Sequence, residues 1–341
     1  MHLFVDRSLA VVTGSFFGQR RLQEGPHELI FVMTGACVTP GGIAAVNRHT
    51  LRVLAQLALK HSFRLTVLSF LERDVDRAPF LPPSVIFCGF AGNKPRLALA
   101  LWRHAIERPV FVFDHVTLAK PLLPLILMNG VRTVIFAHGS ESWKRIRRVN
   151  RWLFANAMLV LTNSQFTLRK MRERIPHFNG VACPLGLAPE FELNETPADT
   201  LHESLSFQNA AGEMRALASR VCLLVGRMHP REREKGHYEL VAVWPNIIRD
   251  FPDAQLVFVG PGEDRPNIKR MARESGVGDS VFVSGEVSEQ TLRTLYATCY
   301  GFTMPSRQEG FGLVYLEAMN FGKPCLGCRD DGAEEIGRAH V

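Results

Sequence analysis

Two glutamates, Glu309 and Glu317, stand eight positions apart in "SRQEGFGLVYLEAM". The segment between them carries two glycines and is otherwise apolar. Positions 311–321 read as a helix that is apolar nearly all round, with Glu317 as its only charge. A buried ionised carboxylate costs several kcal/mol unless it is paired or hydrogen-bonded. Glu317 therefore either faces solvent or serves a ligand, and a vicinal diol such as a ribose 2′,3′ pair matches a two-oxygen acceptor. Ser306, Glu309, Gly310 and Gly312 lie in the loop that leads into this helix.

Two cations could complete a site for an anion. Arg227 closes the strand-like run "VCLLVGR", and Lys235 precedes Gly236 in "REREKGHYEL". Arginine forks onto paired oxygens and lysine acts as a point charge, so the two could hold a diphosphate. The alternating charges of 231–234 fit an ordinary solvated loop equally well. Gly41 and Gly42 stand where a strand passes into a helix, a place where backbone can approach a ligand and a helix N-terminus favours an anion. A plain strand-to-helix turn explains them too. His138, at the end of another strand-like run, reads as a structural histidine or as a site residue. The adjacent acids Asp330 and Asp331 are weak evidence for a metal, and Cys325-x-x-Cys328 lacks the second pair or histidines of a structural zinc site. No metal and no cofactor is expected.

These residues need elements to place them. Apolar runs at 29–35, 64–70, 84–90, 109–116, 131–139 and 157–164 are continuous and not alternating, as in parallel strands buried on both faces. Helix-like segments lie between several of them, the clearest over 43–60. The alternation resumes at 221–227, 254–260, 280–285 and 300–306, with helices near 236–250, 265–276 and 288–298. The fold class is α/β, with two doubly wound domains over 28–186 and 220–336 facing a cleft. Residues 187–219 are more polar and read as a linker with some helix. Residues 1–27 precede the first strand as an extension. The end, "IGRAHV", is similar to the translated start of a common sequencing adapter, so 337–341 are expected to be an artefactual tail on a truncated frame.

The chain has 341 residues and a net charge of +7, which favours anionic partners without choosing among phosphates, nucleic acid and an acidic membrane face. Seven scattered cysteines suit a reducing compartment. No apolar run approaches the roughly 18 residues of a membrane span, and the N-terminus does not read as a signal peptide. A cytoplasmic protein is expected. Residues 144–154, "KRIRRVNRWLF", read as a basic amphipathic helix, with Ile146, Val149 and Leu153 on one face and Lys144, Arg147, Arg148 and Arg151 on the other. With Trp152 and Phe154 at its end it could lie on an anionic membrane, or it could be a surface helix with solvated charges.

"PSRQEGFGLVYLEAMNFGKP" resembles the E-x7-E segment of retaining family 4 glycosyltransferases of the GT-B fold. Arg227 and Lys235-Gly236 fall where that family has its diphosphate-binding arginine and lysine. "GGIAAVNRHTLRVLA" is similar to its glycine loop and first helix, and "HGSESW" and "VLTNSQFT" occupy family-like positions. The resemblance runs over about residues 28–336. It implies transfer of a sugar from a nucleotide-diphospho-sugar to a glycan or lipid-linked acceptor, with retention and without a metal, and no nucleic-acid partner. It implies that Glu317 binds ribose and Glu309 lies by the transferred sugar. Backbone amides from Gly310 through Phe311 and Gly312 to Leu313, beside Ser306, would hold sugar and phosphate. Arg227 and Lys235 would neutralise the leaving diphosphate, Gly41 and Gly42 would approach it, and His138 would sit near the sugar or acceptor. A sugar-nucleotide epimerase of the same architecture and an inactive fragment are the rival expectations.

Overall fold

The computed structural model describes residues 28–38, 41–128, 130–144, 146–187, 205–231 and 233–338. The expected extension over 1–27, residues 188–204 of the expected linker and residues 339–341 of the expected tail lie outside them. The chain divides between Leu185 and Gly186 into two compact units.

The first unit runs β1 (Glu28–Met33), α1 (Gly42–His61), β2 (Arg64–Ser69), β3 (Ile86–Gly89), α2 (Lys94–Ala105), β4 (Val110–Phe113), α3 (Leu123–Leu127), β5 (Arg132–Ala137), α4 (Arg148–Ala155), β6 (Leu159–Thr162), α5 (Gln165–Arg174) and β7 (Gly180–Ala182). Its seven strands form one sheet in the order β3-β2-β1-β4-β5-β6-β7. All its pairings are parallel, with Leu29 level with both Leu65 and Val110. The continuous apolar runs are explained by burial on both faces. Ile30, Val32, Phe111 and Phe113 pack with Leu97 and Leu101 of α2 and Leu153 and Phe154 of α4. The alternate residues Leu29, Phe31, Val110 and Val112 pack with Leu51 and Leu54 of α1. The strand order reverses between β1 and β4, so the crevice at their carboxyl ends is the switch point of this sheet.

The second unit runs β8 (Ser206–Gln208), β9 (Met214–Ala216), β10 (Val221–Val225), α6 (His237–Asp250), β11 (Gln255–Val259), α7 (Arg265–Glu274), β12 (Val281–Gly285), α8 (Glu289–Thr298), β13 (Gly301–Thr303), α9 (Leu313–Asn320), β14 (Cys325–Leu326) and α10 (Glu334–Arg338). Five strands form a parallel sheet in the order β12-β11-β10-β13-β14, whose switch point lies between β10 and β13.

Several elements depart from the sequence reading. Strands β7 and β14 are three and two residues long, too short for a recognisable apolar run. The segment read as a linker with some helix contains the antiparallel hairpin β8–β9. Its turn is set by buried Asn209, whose Oδ1 accepts from the Glu213 amide at 2.8 Å and whose backbone bridges to Phe282. The basic segment 144–154 is not one helix. α4 begins at Arg148, and Arg147 has extended backbone (φ −64°, ψ 146°). Ile146 and Trp152 pack against the core, and Leu153 and Phe154 are buried within it. The aromatic end expected to meet a membrane thus serves the interior, while Lys144, Arg147, Arg148 and Arg151 are exposed. No helix among the described residues is long and apolar enough to cross a membrane.

The end of β10 is locked to the end of β11 by missing side chains. A Cβ on Gly260 would stand 2.3 Å from the Gly226 carbonyl oxygen, and one on Gly262 (φ 147°) would stand 1.8 Å from that of Met228. Hydrogen bonds from the Gly226 amide to the Val259 carbonyl at 2.9 Å and from the Met228 amide to the Pro261 carbonyl at 2.8 Å close the contact. Gly262→Ala is expected to cost about 3 kcal/mol through strain and clash. A correspondingly lowered melting temperature checks this.

Candidate active site

Both strands flanking the second switch point end in candidate residues. β10 runs out into Gly226 and exposed Arg227, and β13 runs out into Met304, Pro305 and buried Ser306. The loops beyond them are tied together. Gly236, in the left-handed region at φ 94°, caps α6 and presses on Pro305, where a Cβ would stand 2.6 Å from the proline Cγ. The Arg307 amide donates to the Glu234 carbonyl at 3.0 Å. This places the Lys235 ammonium on the Glu309 carboxylate as a close ion pair, with side chains 29% and 12% exposed. The Ser306 hydroxyl lies 3.4 Å from the same Glu309 oxygen.

Glu309 is gripped by its backbone as well. Its amide donates to Asp331 Oδ2 at 3.0 Å, and its carbonyl accepts from the Gly332 amide at 3.1 Å. Gly332 sits so close that a Cβ would fall 2.2 Å from the Gly310 oxygen. Burial pushes the Asp331 carboxyl up to about 6, against the lowering effect of the Glu309 amide. Asp331 is the residue that the sequence reading set aside as a weak metal ligand, and the structure gives it to the Glu309 loop. Its adjacency to a glycine was the available signal. No group of three or more His, Cys, Asp or Glu side chains suited to a metal occurs among the described residues.

After Gly310 and Phe311, Gly312 (φ 92°) caps α9, and a Cβ there would stand 2.6 Å from the Tyr315 ring. α9 starts at Leu313 and buries Tyr315 and Ala318. Glu317 keeps some surface on this helix, yet it is hemmed in by aromatic groups. The Tyr296 hydroxyl donates to its Oε2 at 2.8 Å, and Tyr296 stacks on Phe321 with centroids 5.9 Å apart. Desolvation pushes the Glu317 carboxyl up to about 7, with the Tyr296 hydrogen bond pulling the other way. Neither the solvated-face reading nor a full ion pair describes it: it is a carboxyl poised near neutrality. Next to Lys235, His237 is buried and packs edge-on against Phe258. Burial holds its imidazole down to about 4, so it stays neutral and structural.

The first unit carries the remaining candidates at the carboxyl end of its sheet. Gly41 (φ 122°) caps α1, and open space lies where a Cβ of Gly41 or Gly42 would point. His138 follows β5, stacks on Phe136, and places Nε2 2.7 Å from the Asp114 carbonyl oxygen. A carbonyl only accepts, so Nε2 carries the proton and a neutral ring keeps its lone pair on Nδ1. The His138 amide donates to Glu141 at 2.7 Å. Asp114, absent from the sequence reading, is buried at the end of β4, and its Oδ1 has no hydrogen-bond partner.

Residues 219–340 match the family described as glycosyl transferases group 1. The chain is 28% identical over 233 residues to a GDP-mannose-dependent monoacylated alpha-(1-6)-phosphatidylinositol monomannoside mannosyltransferase of Corynebacterium glutamicum, covering 62% of this chain and 58% of the relative. It is 36% identical over 122 residues to a GDP-mannose-dependent alpha-(1-6)-phosphatidylinositol monomannoside mannosyltransferase of Mycobacterium tuberculosis, covering 34% and 30%. The chain spans about half the length, or less, of these curated relatives. Among solved structures, sucrose-phosphate synthase from Thermosynechococcus elongatus superposes with a TM-score of 0.66 at 18% identity, covering 90% of this chain and 83% of that one. Anabaena HepE in complex with UDP and glucose gives 0.65 at 18%, covering 91% and 82%. The fold is therefore that of GT-B glycosyltransferases. Residues 219–340, within the second unit, match the group 1 glycosyl transferases, in line with the glycosyltransferase resemblance read from the sequence.

Because the Glu317 carboxyl is raised from its ordinary 4.5 to about 7, the folded state binds its proton more tightly than the unfolded chain. The stability this gives is present below about pH 4.5 and is lost as pH rises through about 7. Glu317→Gln is expected to match the parent at about pH 4 and to exceed it by about 1–2 kcal/mol at about pH 8, a figure reduced for the exposed part of the group. Denaturant titrations at the two pH values measure the difference.

Proposed function

We propose that this chain transfers a hexose from a nucleotide-diphospho-sugar to a glycan or lipid-linked acceptor, with retention of anomeric configuration and without a metal. The observation that carries the reading is the meeting of Lys235 and Glu309 at the switch point of a group 1 domain. A cation and a carboxylate side by side suit the two parts of one donor: the diphosphate takes the cation, and sugar hydroxyls donate to the carboxylate.

Arg227 and Lys235 neutralise the charge that develops on the leaving diphosphate, the task a metal ion performs at other sites. Glu309 orients the sugar and is not a covalent nucleophile. Its backbone grip by Asp331 and Gly332 keeps it from following the diphosphate. With Oε2 of Glu317 taken by Tyr296, Oε1 is the oxygen offered to the ribose diol. The bond from the anomeric carbon to the diphosphate oxygen breaks. The acceptor hydroxyl oxygen bonds to that carbon on the same face, and its proton passes to the departing diphosphate. The names of the relatives make GDP-mannose the first donor to try and a glycolipid the first acceptor.

A panel of nucleotide sugars, assayed with and without acceptor, tests the reading. Transfer with the donor's anomeric configuration retained by NMR, and unchanged by EDTA, is expected. Binding of a donor with epimerisation and no transfer would overturn it. Lys235→Ala is expected to lower kcat about 100-fold to 1,000-fold, the range for loss of one charge stabiliser, measured by nucleoside-diphosphate release.

A further inference from the structure

The turn between β1 and α1 is held by side chains that no motif in the sequence announces. The Thr34 amide and hydroxyl donate to Asp114 Oδ2 at 2.7 and 2.5 Å. The Ala36 amide donates to Glu72 Oε1 at 2.8 Å, and the Cys37 amide donates to the same oxygen. The other Glu72 oxygen accepts from the Ser69 hydroxyl at 2.7 Å. The carbonyls are held in turn: Thr34 by the Leu71 amide at 2.9 Å, Gly35 by Asn47 at 2.8 Å and Ala36 by Arg48 at 2.7 Å. Asn47 also donates to Asp114 at 2.8 Å. Glu72, Asp114 and Asn47 are each 1% exposed.

Asn47 and Arg48 belong to α1, so the turn is bolted directly to the helix that Gly41 and Gly42 open. The amides of Thr34, Ala36 and Cys37 are spent on carboxylates and are not donors for a ligand. Two buried carboxylates behind the turn also disfavour an anion against it. Among the described residues of the loop, Gly41 and Gly42, which open α1, have open space where a Cβ would point.

We infer that Glu72 is a positioning residue: as a shared acceptor for the Ala36 and Cys37 amides it fixes the turn, and through the bonds of that turn to Asn47 and Arg48 it fixes the start of α1 at Gly41–Gly42. The inference rests on the proposed function, with Gly41 and Gly42 approaching the donor as the family resemblance implies. Its effect runs through hydrogen-bond acceptance and not through charge. Glutamine can keep Oε1 as acceptor while its amide group donates to the Ser69 hydroxyl.

The experiment combines two readouts on Glu72→Ala, Glu72→Gln and Arg48→Ala. Hydrogen exchange of peptides covering 34–45 reads the turn without any activity. Turnover of the donor and calorimetric affinity for GDP and UDP read the site. Glu72→Ala is expected to speed exchange in 34–45 but not in 221–227, and to lower kcat about 10-fold to 100-fold, as misplacement near 1 Å does. Nucleotide affinity, carried by the second unit, is expected to shift less than about 3-fold, and Glu72→Gln to restore kcat to within about 3-fold. Arg48→Ala, a gentler change at a partly exposed side chain, is expected to move exchange and kcat in the same direction should Glu72→Ala not fold. Unchanged exchange and turnover in both alanine variants would overturn the inference, as would a glutamine variant as impaired as alanine. If the parent chain turns over no donor, the proposed function falls, and the exchange result still decides the role of Glu72 in the turn.

Discussion

A carboxylate that is largely buried has to be held by something, and the Lys235–Glu309 pair is how the second unit meets that requirement. Much of the surrounding architecture follows from bringing these two side chains together. Gly236 must lack a Cβ so that α6 can start against Pro305, and Gly332 must lack one so that its amide can reach Glu309. The pair also leaves the site near charge balance. In the proposed function an incoming diphosphate would exchange one anionic partner of Lys235 for another and would not have to meet a bare, desolvated ammonium.

The sheets were legible because burial on both faces leaves a strong mark. Runs such as "LIFVM" and "QLVFV" have no polar alternation, and they became β1 and β11 with interiors that water does not reach. α1 and α6 were legible through their periodicity and through the glycines that cap them. Strands β7 and β14 were not, because two or three residues added to an existing edge need no pattern of their own. The basic stretch misled for a physical reason: periodicity around Arg147 continues on paper through a residue whose backbone is extended. Once the helix starts at Arg148, Trp152 and Phe154 point to the core.

For the candidate site, the residues with ligand-facing chemistry stood out and those that hold them did not. Glu309, Glu317, Arg227 and Lys235 were marked by spacing and by a family resemblance. Asp331 has only a neighbouring acid and a following glycine to mark it, and Asp114 and Glu72 are single acids in loops that nothing local distinguishes from solvated charges. Their meaning depends on partners 22, 80 and 36 positions away. Tyr296, which turns Glu317 into a carboxyl poised near neutrality, sits on a different helix 21 positions upstream. Long-range hydrogen bonds of this kind leave no periodic trace.

The bond from the Arg307 amide to the Glu234 carbonyl joins the two loops backbone to backbone. No side chain takes part in it, so it asks of residue 307 only a backbone N–H, which every residue but proline supplies. The charged stretch before Lys235 can therefore drift in composition while Lys235 keeps its place beside Glu309. Such an arrangement separates two evolutionary tasks. The seam between the loops preserves the Lys235–Glu309 geometry, and exposed side chains that project from it, such as Arg231 and Arg307, can be exchanged without disturbing it.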